Sequence, residues 1–437
     1  MATTMAIPTE TQPASAPANR GRWMARLPWS ALMALADQAT VSGTSFLVTL
    51  LLGRYATPEQ LGLYTLGFTL LVLLVCAFDA LITSPYTLYG NRCDEPERRI
   101  LAGAALVHHF ALTGIAVAFL AGVAGLSIAL GQADLGRVLL VLAALAPLIL
   151  LRELARRISF AEHRPGWAFA VDAAVSALQI GLLLGLVFLA RLTAISGHLA
   201  TGIACALAGC GWLWLWRGQF RIDRATLVPT ARRNWRFGRW VLGSQGIGVT
   251  HGFAVHWLLL FWSDPSATGA YAACLTVVLL SNPFLFGMVN HLGPVAARAY
   301  NRAGVAGVRG VVWKSLALFA VVMGGFSGTI LLMAGPVLRL FYRDTYDGLE
   351  PVVRVLAVVV FVTGMGMAMD VGLRAQERAD LSFRTSVVSL AVTVSAACLL
   401  IPFAGVPGAA WGYLLGTVAG TGLRGVLLLR CWREVTP

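Results

Sequence analysis

Charged residues are scarce in this chain of 437 residues: Asp, Glu, Lys and Arg make up only 12% of it, whereas 58% is hydrophobic. A typical soluble domain contains about 25% charged residues. Lysine occurs once, at Lys314. Together with a mean hydropathy of +0.75, this scarcity excludes an ordinary water-soluble fold and indicates a membrane protein.

Motifs that carry catalysis or bind metals are also missing. The sequence has no Gly-rich phosphate loop, no GxSxG nucleophile turn and no HExxH pair. Its seven cysteines are scattered, with no CxxC spacing and no histidine nearby at ligand spacing. We therefore expect no metal site, no disulfide framework and no cofactor.

What the sequence does contain is a series of about twelve apolar stretches of roughly 18–25 residues, the length that spans a hydrocarbon core. They predict an all-α polytopic membrane protein. The predicted spans are 31–52, 62–86, 101–130, 138–154, 167–190, 198–216, 240–262, 270–291, 312–334, 351–371, 381–401 and 406–429.

Arginines alternate with these spans. Every second connection, and both ends, are rich in basic residues: Arg20, Arg22 and Arg26; Arg92, Arg98 and Arg99; Arg152, Arg156, Arg157 and Arg164; Arg217 to Arg239; Arg298, Arg302, Arg309 and Lys314; Arg374, Arg378 and Arg384; Arg424, Arg430 and Arg433. The other connections hold only Arg54, Arg137, Arg191, Arg339 and Arg343. Cytoplasmic loops attract positive charge, so we expect a bacterial inner-membrane protein with both termini in the cytoplasm.

The net charge of +13 lies mainly in these inner connections. There it would meet anionic membrane lipids, and we expect no nucleic-acid partner. The domain organisation predicted from the spans has four parts: a disordered cytoplasmic tail (1–28), an N-terminal six-helix lobe (29–216), a basic cytoplasmic linker (217–239) and a C-terminal six-helix lobe (240–433). Two such halves are typical of transporters, whose substrates bind between repeats.

Several stretches resemble a known family. The run GRYATPEQLGLY, which joins the first two predicted spans, is similar to the opening of bacterial polysaccharide-export proteins. These are lipid-linked oligosaccharide flippases of the multidrug/oligosaccharidyl-lipid/polysaccharide (MOP) exporter superfamily. Looser resemblance follows in order along the chain, in RRISFAEHRPGWAFAVD, FGRWVLGSQ, SATGAYAA and LGPVAARAY.

The resemblance implies two six-helix lobes that form a V around a central cavity, the architecture of MATE transporters and other MOP proteins. It also implies a flippase that moves an undecaprenyl-diphosphate-linked oligosaccharide from the cytoplasmic to the periplasmic leaflet by alternating access. Such a protein would serve polysaccharide or lipopolysaccharide biosynthesis. Its partners would be the lipid-linked substrate, membrane lipids, and a polysaccharide polymerase with its chain-length machinery.

Polar residues inside the predicted spans are candidates for function, because charge in a membrane is costly. In the first span Asp37, Thr40 and Thr44 share one helical face. They predict either a wet cavity surface with Asp37 as the group that couples transport to H⁺ or Na⁺, or helix-to-helix packing. Asp79 lies near the end of the second span.

The seventh span carries a similar polar pattern, with Gln245 and His256 on one face and His251 on the adjacent one. Both histidines are candidates for a cavity that binds sugar or diphosphate, or for buried structural groups. At the inner rim, five arginines are candidates for binding a diphosphate or lipid head group: Arg92, Arg152, Arg156, Arg157 and Arg298. Two further pairs, Glu350 with Arg354 and Asp370 with Arg374, have the spacing of intrahelical salt bridges.

Two other functions stay open. A cation-coupled multidrug exporter of the same superfamily would use Asp37 as its ion site. A membrane glycan polymerase or ligase is less favoured, because it needs a large outer loop and the longest predicted one is only 335–350. We therefore expect a transporter and not an enzyme.

Overall fold

The computed structural model describes residues 29–433, and the predicted tail 1–28 lies outside them. Within the described part the secondary structure is helical throughout, without strands. The helices are α1 (Trp29–Tyr55), α2 (Pro58–Phe78), α3 (Ser84–Gly90), α4 (Glu95–Ala129), α5 (Ala133–Ala161), α6 (Pro165–Phe188), α7 (Ala194–Trp216), α8 (Arg224–Trp262), α9 (Pro265–Val278), α10 (Asn282–Tyr342), α11 (Glu350–Ala375) and α12 (Ala379–Arg433). A π-helical turn, Asp79–Thr83, joins α2 to α3.

Two of these helices fold back on themselves. The backbone of α10 leaves helical geometry at Ala303 and Gly304, and α12 does so at Gly405. Both glycines have positive φ, +56° and +55°, a conformation that glycine adopts without steric cost. Beyond the second turn, Gly408 lies against the carbonyl of Leu400. Each long helix therefore supplies two antiparallel membrane-length segments.

With these turns, the described chain contains twelve membrane-length segments, one for each predicted span. By length and composition, eight helices can cross a membrane. In this count α9 and α10 form one continuous helix, and each helix that contains a turn is counted once. Helices α1 and α8, the first and seventh segments, are not among the eight. They are also the helices that carry Asp37, Gln245 and the two candidate histidines.

The segments pack as two lobes. In the first, α4 packs on α5, α5 on α7, and α1 on α6; in the second, α10 packs on α11, α11 on α12, and α12 on α8. The lobes meet where α2 crosses α9 and α8. The predicted fold class, an all-α bundle of about twelve spans in two lobes, is confirmed.

At that crossing the two backbones nearly touch. A Cβ atom on Gly62 would lie 1.8 Å from the carbonyl oxygen of Pro265, and one on Gly269 would lie 1.8 Å from that of Pro58. The contact is reciprocal, because each glycine lies four residues after the proline that begins its helix. Only glycine permits so close an approach.

The segment between the lobes differs from the expected linker. Residues 217–219 form a short 3₁₀ turn, and α8 begins at Arg224, directly after its N-cap Asp223. Residues 224–239 are therefore the first turns of the seventh segment, which reaches well beyond the apolar stretch that begins at 240.

Candidate functional site

A cluster of arginines and carboxylates lies inside the first lobe, centred on α5. Arg156 donates to Asp37 Oδ2 through Nη2 (2.7 Å) and Nε (3.1 Å), and its Nε lies 2.8 Å from Asp172 Oδ2. Arg152 Nη2 lies 2.7 Å from Asp172 Oδ1. One helix thus joins α1 and α6 through two guanidinium groups.

The cluster extends along α5 to the π-helical turn. Arg157 binds Glu153 (2.8 Å) on its own helix and lies 3.3 Å from Asp79 Oδ1. Thr83 donates to Asp79 Oδ1 at 2.7 Å, and Gln245 of α8 donates to Asp79 Oδ2 at 3.2 Å. Since α8 belongs to the second lobe, Asp79 connects the two lobes.

Four carboxylates therefore meet three guanidinium groups: Asp37, Asp79, Glu153 and Asp172 against Arg152, Arg156 and Arg157. The side chains of Asp37 and Asp172 are fully buried. Asp37 Oδ1 has no hydrogen-bond partner. Both carboxylate oxygens of Asp172 lie at ion-pair distance from Arg152 or Arg156, but the angles do not allow a hydrogen bond. A buried carboxylate that loses its cationic partner is strongly destabilising, so we expect these arginines to stabilise the packing of the lobe.

The polar face predicted on α1, formed by Asp37, Thr40 and Thr44, does not line an open cavity along its whole length. Thr44 donates to the carbonyl of Thr40 (2.7 Å) and is buried. This local bond is the usual way in which a threonine satisfies its hydroxyl inside a helix. In the described conformation Asp37 faces Arg156 and not open space.

The second lobe has its own polar sites. His251 Nε2 lies 3.1 Å from both Ser389 Oγ and Thr393 Oγ1 of α12, so it joins α8 to α12. His256 is almost fully buried against Tyr271 and Phe253, and its Nδ1 has no partner. The structure thus places the two histidines in separate environments.

A second ion-pair group lies among α11 and α12. Asp370 pairs with Arg374 (2.7 Å), as the spacing predicts, and Arg424 lies 3.7 Å from the same carboxylate. Arg424 also donates to Thr385 at 3.2 Å. The other predicted pair does not form: Arg354 Nε donates to the Leu331 carbonyl instead of contacting Glu350.

The remaining candidates at the inner rim stand apart from the cluster. Arg92 and Arg298 are exposed, and within residues 29–433 neither side chain forms an ion pair or hydrogen bond. Of the five rim arginines, the structure brings together only Arg152, Arg156 and Arg157, and it pairs them with carboxylates.

Three members of these clusters are not among the site residues that the sequence predicts: Glu153, Asp172 and Arg424. Glu153 was detectable, since it lies three and four residues before Arg156 and Arg157, the spacing of helical ion pairs. The contact of Arg424 with Asp370 spans 54 residues and left no local signal.

No sequence-family profile matches the chain, and neither does any curated protein sequence. Its fold, however, is similar to several solved structures. A multidrug resistance MATE family transporter of the MOP superfamily, in an inward-facing conformation, superposes with a TM-score of 0.74 at 17% identity, over 95% of this chain and 98% of the other. An outward-facing structure of such a transporter gives a TM-score of 0.66 at 15% identity, over 92% and 94%.

A third similar structure is a MOP superfamily transporter from Pyrococcus furiosus, with a TM-score of 0.67 at 16% identity, over 93% of this chain and 95% of that one. That protein is described as having a binding pocket of reversed polarity, which suggests a different function. All three likenesses cover nearly the whole of both chains. The chain therefore has the fold of the MATE transporters of the MOP superfamily.

Proposed function

We propose that this protein is a transporter that moves a lipid-linked oligosaccharide from the cytoplasmic to the periplasmic leaflet of a bacterial inner membrane. One observation carries the choice of substrate: each carboxylate deep inside the described helices is paired with at least one arginine. These carboxylates are Asp37, Asp79, Glu153, Asp172 and Asp370. A substrate whose head carries a diphosphate needs no free carboxylate, and one that is cationic does.

The alternative, a cation-coupled multidrug exporter, is supported by the names of the structural neighbours. Such an exporter would bind positively charged drugs through acidic side chains in its cavity. In the described part of this chain, each embedded acid already has a guanidinium partner. The order of family-like stretches along the sequence also favours the polysaccharide branch.

Alternating access supplies the mechanism. At one end, the two lobes touch where Gly62 meets Pro265 and where Arg54 donates to the carbonyls of Leu340 (2.7 Å) and Phe341 (3.1 Å). By the arginine distribution this end faces the periplasm. Rigid-body rocking of the lobes that separates α2 from α9 would open this end and bring the lobes together at the other.

Asp37 remains our candidate for the coupling group, with H⁺ or Na⁺ as the ion. If a cation replaces Arg156 as the partner of Asp37, α1 is released from α5, which biases the equilibrium between the inward and outward states. Asp37→Asn should then express normally but transport slowly, without dependence on pH or Na⁺. Parental transport with unchanged ion dependence would make Asp37 a structural partner of Arg156 only.

The proposed activity is tested by leaflet inversion in proteoliposomes. The purified protein is reconstituted with a fluorescent undecaprenyl-diphosphate-linked oligosaccharide, and the lectin-accessible fraction in the outer leaflet is followed over time. We expect exchange between leaflets that protein-free vesicles lack. Exchange no faster than in protein-free vesicles, together with uptake of a cationic dye by the same vesicles, would favour the multidrug exporter.

A further inference from the structure

A basic groove lies where the start of α8 meets α3. It encloses about 610 Å³ and is lined by Tyr89, Val228, Pro229, Arg232, Arg233, Arg236 and Phe237. Six of these residues come from α8 and only Tyr89 from the first lobe. The groove thus lies on the junction of the two lobes.

The charge of the groove is uncompensated. No carboxylate lines it, and none of its three arginines forms an ion pair with a residue of the described range 29–433. Arg233 stacks over the Tyr89 ring, with its guanidinium carbon 4.1 Å from the ring centroid, so its N–H edge stays free. Three guanidinium groups in a space without carboxylates attract a multiply charged anion.

A neighbouring cavity differs from the groove, because its arginines lie beside carboxylates. It encloses about 170 Å³ and contains Arg98, Arg99 and Arg164, but Glu95 and Glu162 also line it. Arg98 lies 3.4 Å from Glu162, and Arg99 lies 2.6 Å from Glu95. Two of its three cations are thus already paired, whereas those of the groove are not.

The groove is held rigidly on its far side. Thr230, Asn234 and Gly238 form the buried face of this part of α8. A Cβ atom on Gly238 would lie 2.4 Å from the carbonyl oxygen of Ala80 in the π-helical turn. The arginines therefore project from a helix that is fixed against the first lobe, which reduces the entropy lost when a ligand binds.

Its surroundings place the groove at the membrane surface. Trp235 and Trp240 on the same helix are 54% and 72% exposed. Exposed tryptophans among arginines are typical of the interface between head groups and acyl chains. Further along the same helix lie Gln245, which contacts Asp79, and His251. A head group in the groove is thus at the start of a polar path into the protein.

We propose that this groove captures the diphosphate of a lipid carrier before the glycan moves into the space between the lobes. The assignment rests on the proposed function. A diphosphate carries more charge than the single phosphodiester of a bulk phospholipid, and its two phosphoryl groups match several guanidinium forks. The charge and the 610 Å³ volume both favour this ligand.

The test uses the full chain in phosphatidylcholine nanodiscs, with farnesyl diphosphate as the probe. We expect the triple variant Arg232→Gln, Arg233→Gln, Arg236→Gln to bind the probe at least about tenfold more weakly, a loss of about 1.4 kcal/mol. The matched control, Arg302→Gln, Arg384→Gln, Arg430→Gln, removes the same charge from exposed arginines elsewhere and should bind as the parent does. Equal weakening in both would overturn the site.

Two competitors separate the ligand classes. Inorganic pyrophosphate should displace the probe, whereas phosphatidylglycerol at the same mole fraction should not. Equal competition by phosphatidylglycerol would reduce the groove to a contact for bulk anionic lipid and overturn the proposal. If the glutamine variant fails to fold, the triple lysine variant replaces it; it keeps the charge but not the fork, and we expect intermediate affinity.

A transport measurement separates this proposal from the proposed function. Loss of probe binding with unchanged flipping would overturn the capture role and leave the flippase intact. Saturable probe binding that the groove variant abolishes, in a protein that flips no diphosphate-linked glycan, would support the binding site and contradict the proposed function.

Discussion

Arg156 is the residue on which the first lobe depends most. Its guanidinium contacts Asp37 on α1 and Asp172 on α6, both of which are fully buried. An ion pair of this kind adds little net stability compared with apolar packing. Removal of the cation alone is far more costly, because it leaves Asp37 without a guanidinium partner and Asp172 with Arg152 alone.

We predict that Arg156→Leu lowers the free energy of unfolding by about 3–5 kcal/mol, the cost of an uncompensated buried charge. Arg137→Leu is the matched control, since its 2.9 Å pair with Asp134 is exposed on both sides. That variant should cost at most about 1 kcal/mol. Thermal unfolding of both variants in one detergent measures the difference, and equal losses would contradict the role of Arg156.

At this scale the sequence reveals residue types but not partners. Arg152, Arg156, Arg157, Asp37 and Asp79 all stand out as charges near or inside spans. Asp37 and Arg156 are separated by 119 positions, so no periodicity could pair them. The sequence predicts that these arginines bind a diphosphate, whereas in the structure they form ion pairs with carboxylates that are distant in sequence.

Among the helices, the crossing of α2 and α9 has a local sequence origin. Each helix starts with a polar N-cap, a proline and, four residues later, a glycine: Thr57, Pro58 and Gly62 in α2, and Asp264, Pro265 and Gly269 in α9. The cap side chains accept hydrogen bonds from Gln60 N (3.3 Å) and Ala267 N (2.7 Å). Corresponding helices of the two lobes thus begin with the same short pattern.

We predict that Gly62→Ala destabilises the protein by about 1–3 kcal/mol, the usual cost of overpacking. The new methyl group would meet the Pro265 backbone at 1.8 Å, so the crossing must open. Gly114→Ala is the control, because nothing lies within 4 Å of its added Cβ. It should be neutral or stabilising by about 0.5–1 kcal/mol.

Thermal unfolding measures both alanine variants. Access of an impermeant thiol reagent to the outer end of the crossing should also rise in Gly62→Ala. Stability and access equal to those of the parent would show that the α2–α9 contact does not hold the lobes together.

The hydropathy pattern predicts the existence and order of the twelve segments, because apolar length alone defines a membrane span. It does not predict their ends. Helix α8 begins at Arg224 because Asp223 caps it and because its first turns pack against the first lobe. These turns carry too much charge for hydropathy to predict them as part of a span. The turn within α10, at Ala303 and Gly304, lies between the predicted spans but has no proline to mark it.

For the whole molecule, the arginine distribution predicts an orientation. Cysteines introduced in place of Val228, which is 59% exposed, and of Asp347, which is exposed in the opposite connection, report the two sides. On a background without native cysteines, an impermeant maleimide added to intact cells should label position 347 and not 228. Labelling of 228 from outside would invert the orientation.

Head-group charge should select the substrate, since the embedded carboxylates are already paired with arginines and further arginines line the groove at the start of α8. The most direct measurement compares leaflet inversion of three substrates in the same proteoliposomes. The three have the same glycan and the same polyprenyl chain, joined by a diphosphate, a monophosphate or a neutral linkage. Uptake of a cationic dye is measured in parallel. We expect the rate to fall in the order diphosphate, monophosphate, neutral, with no dye transport. Transport of the dye, or equal rates for the three linkages, would contradict selection by head-group charge.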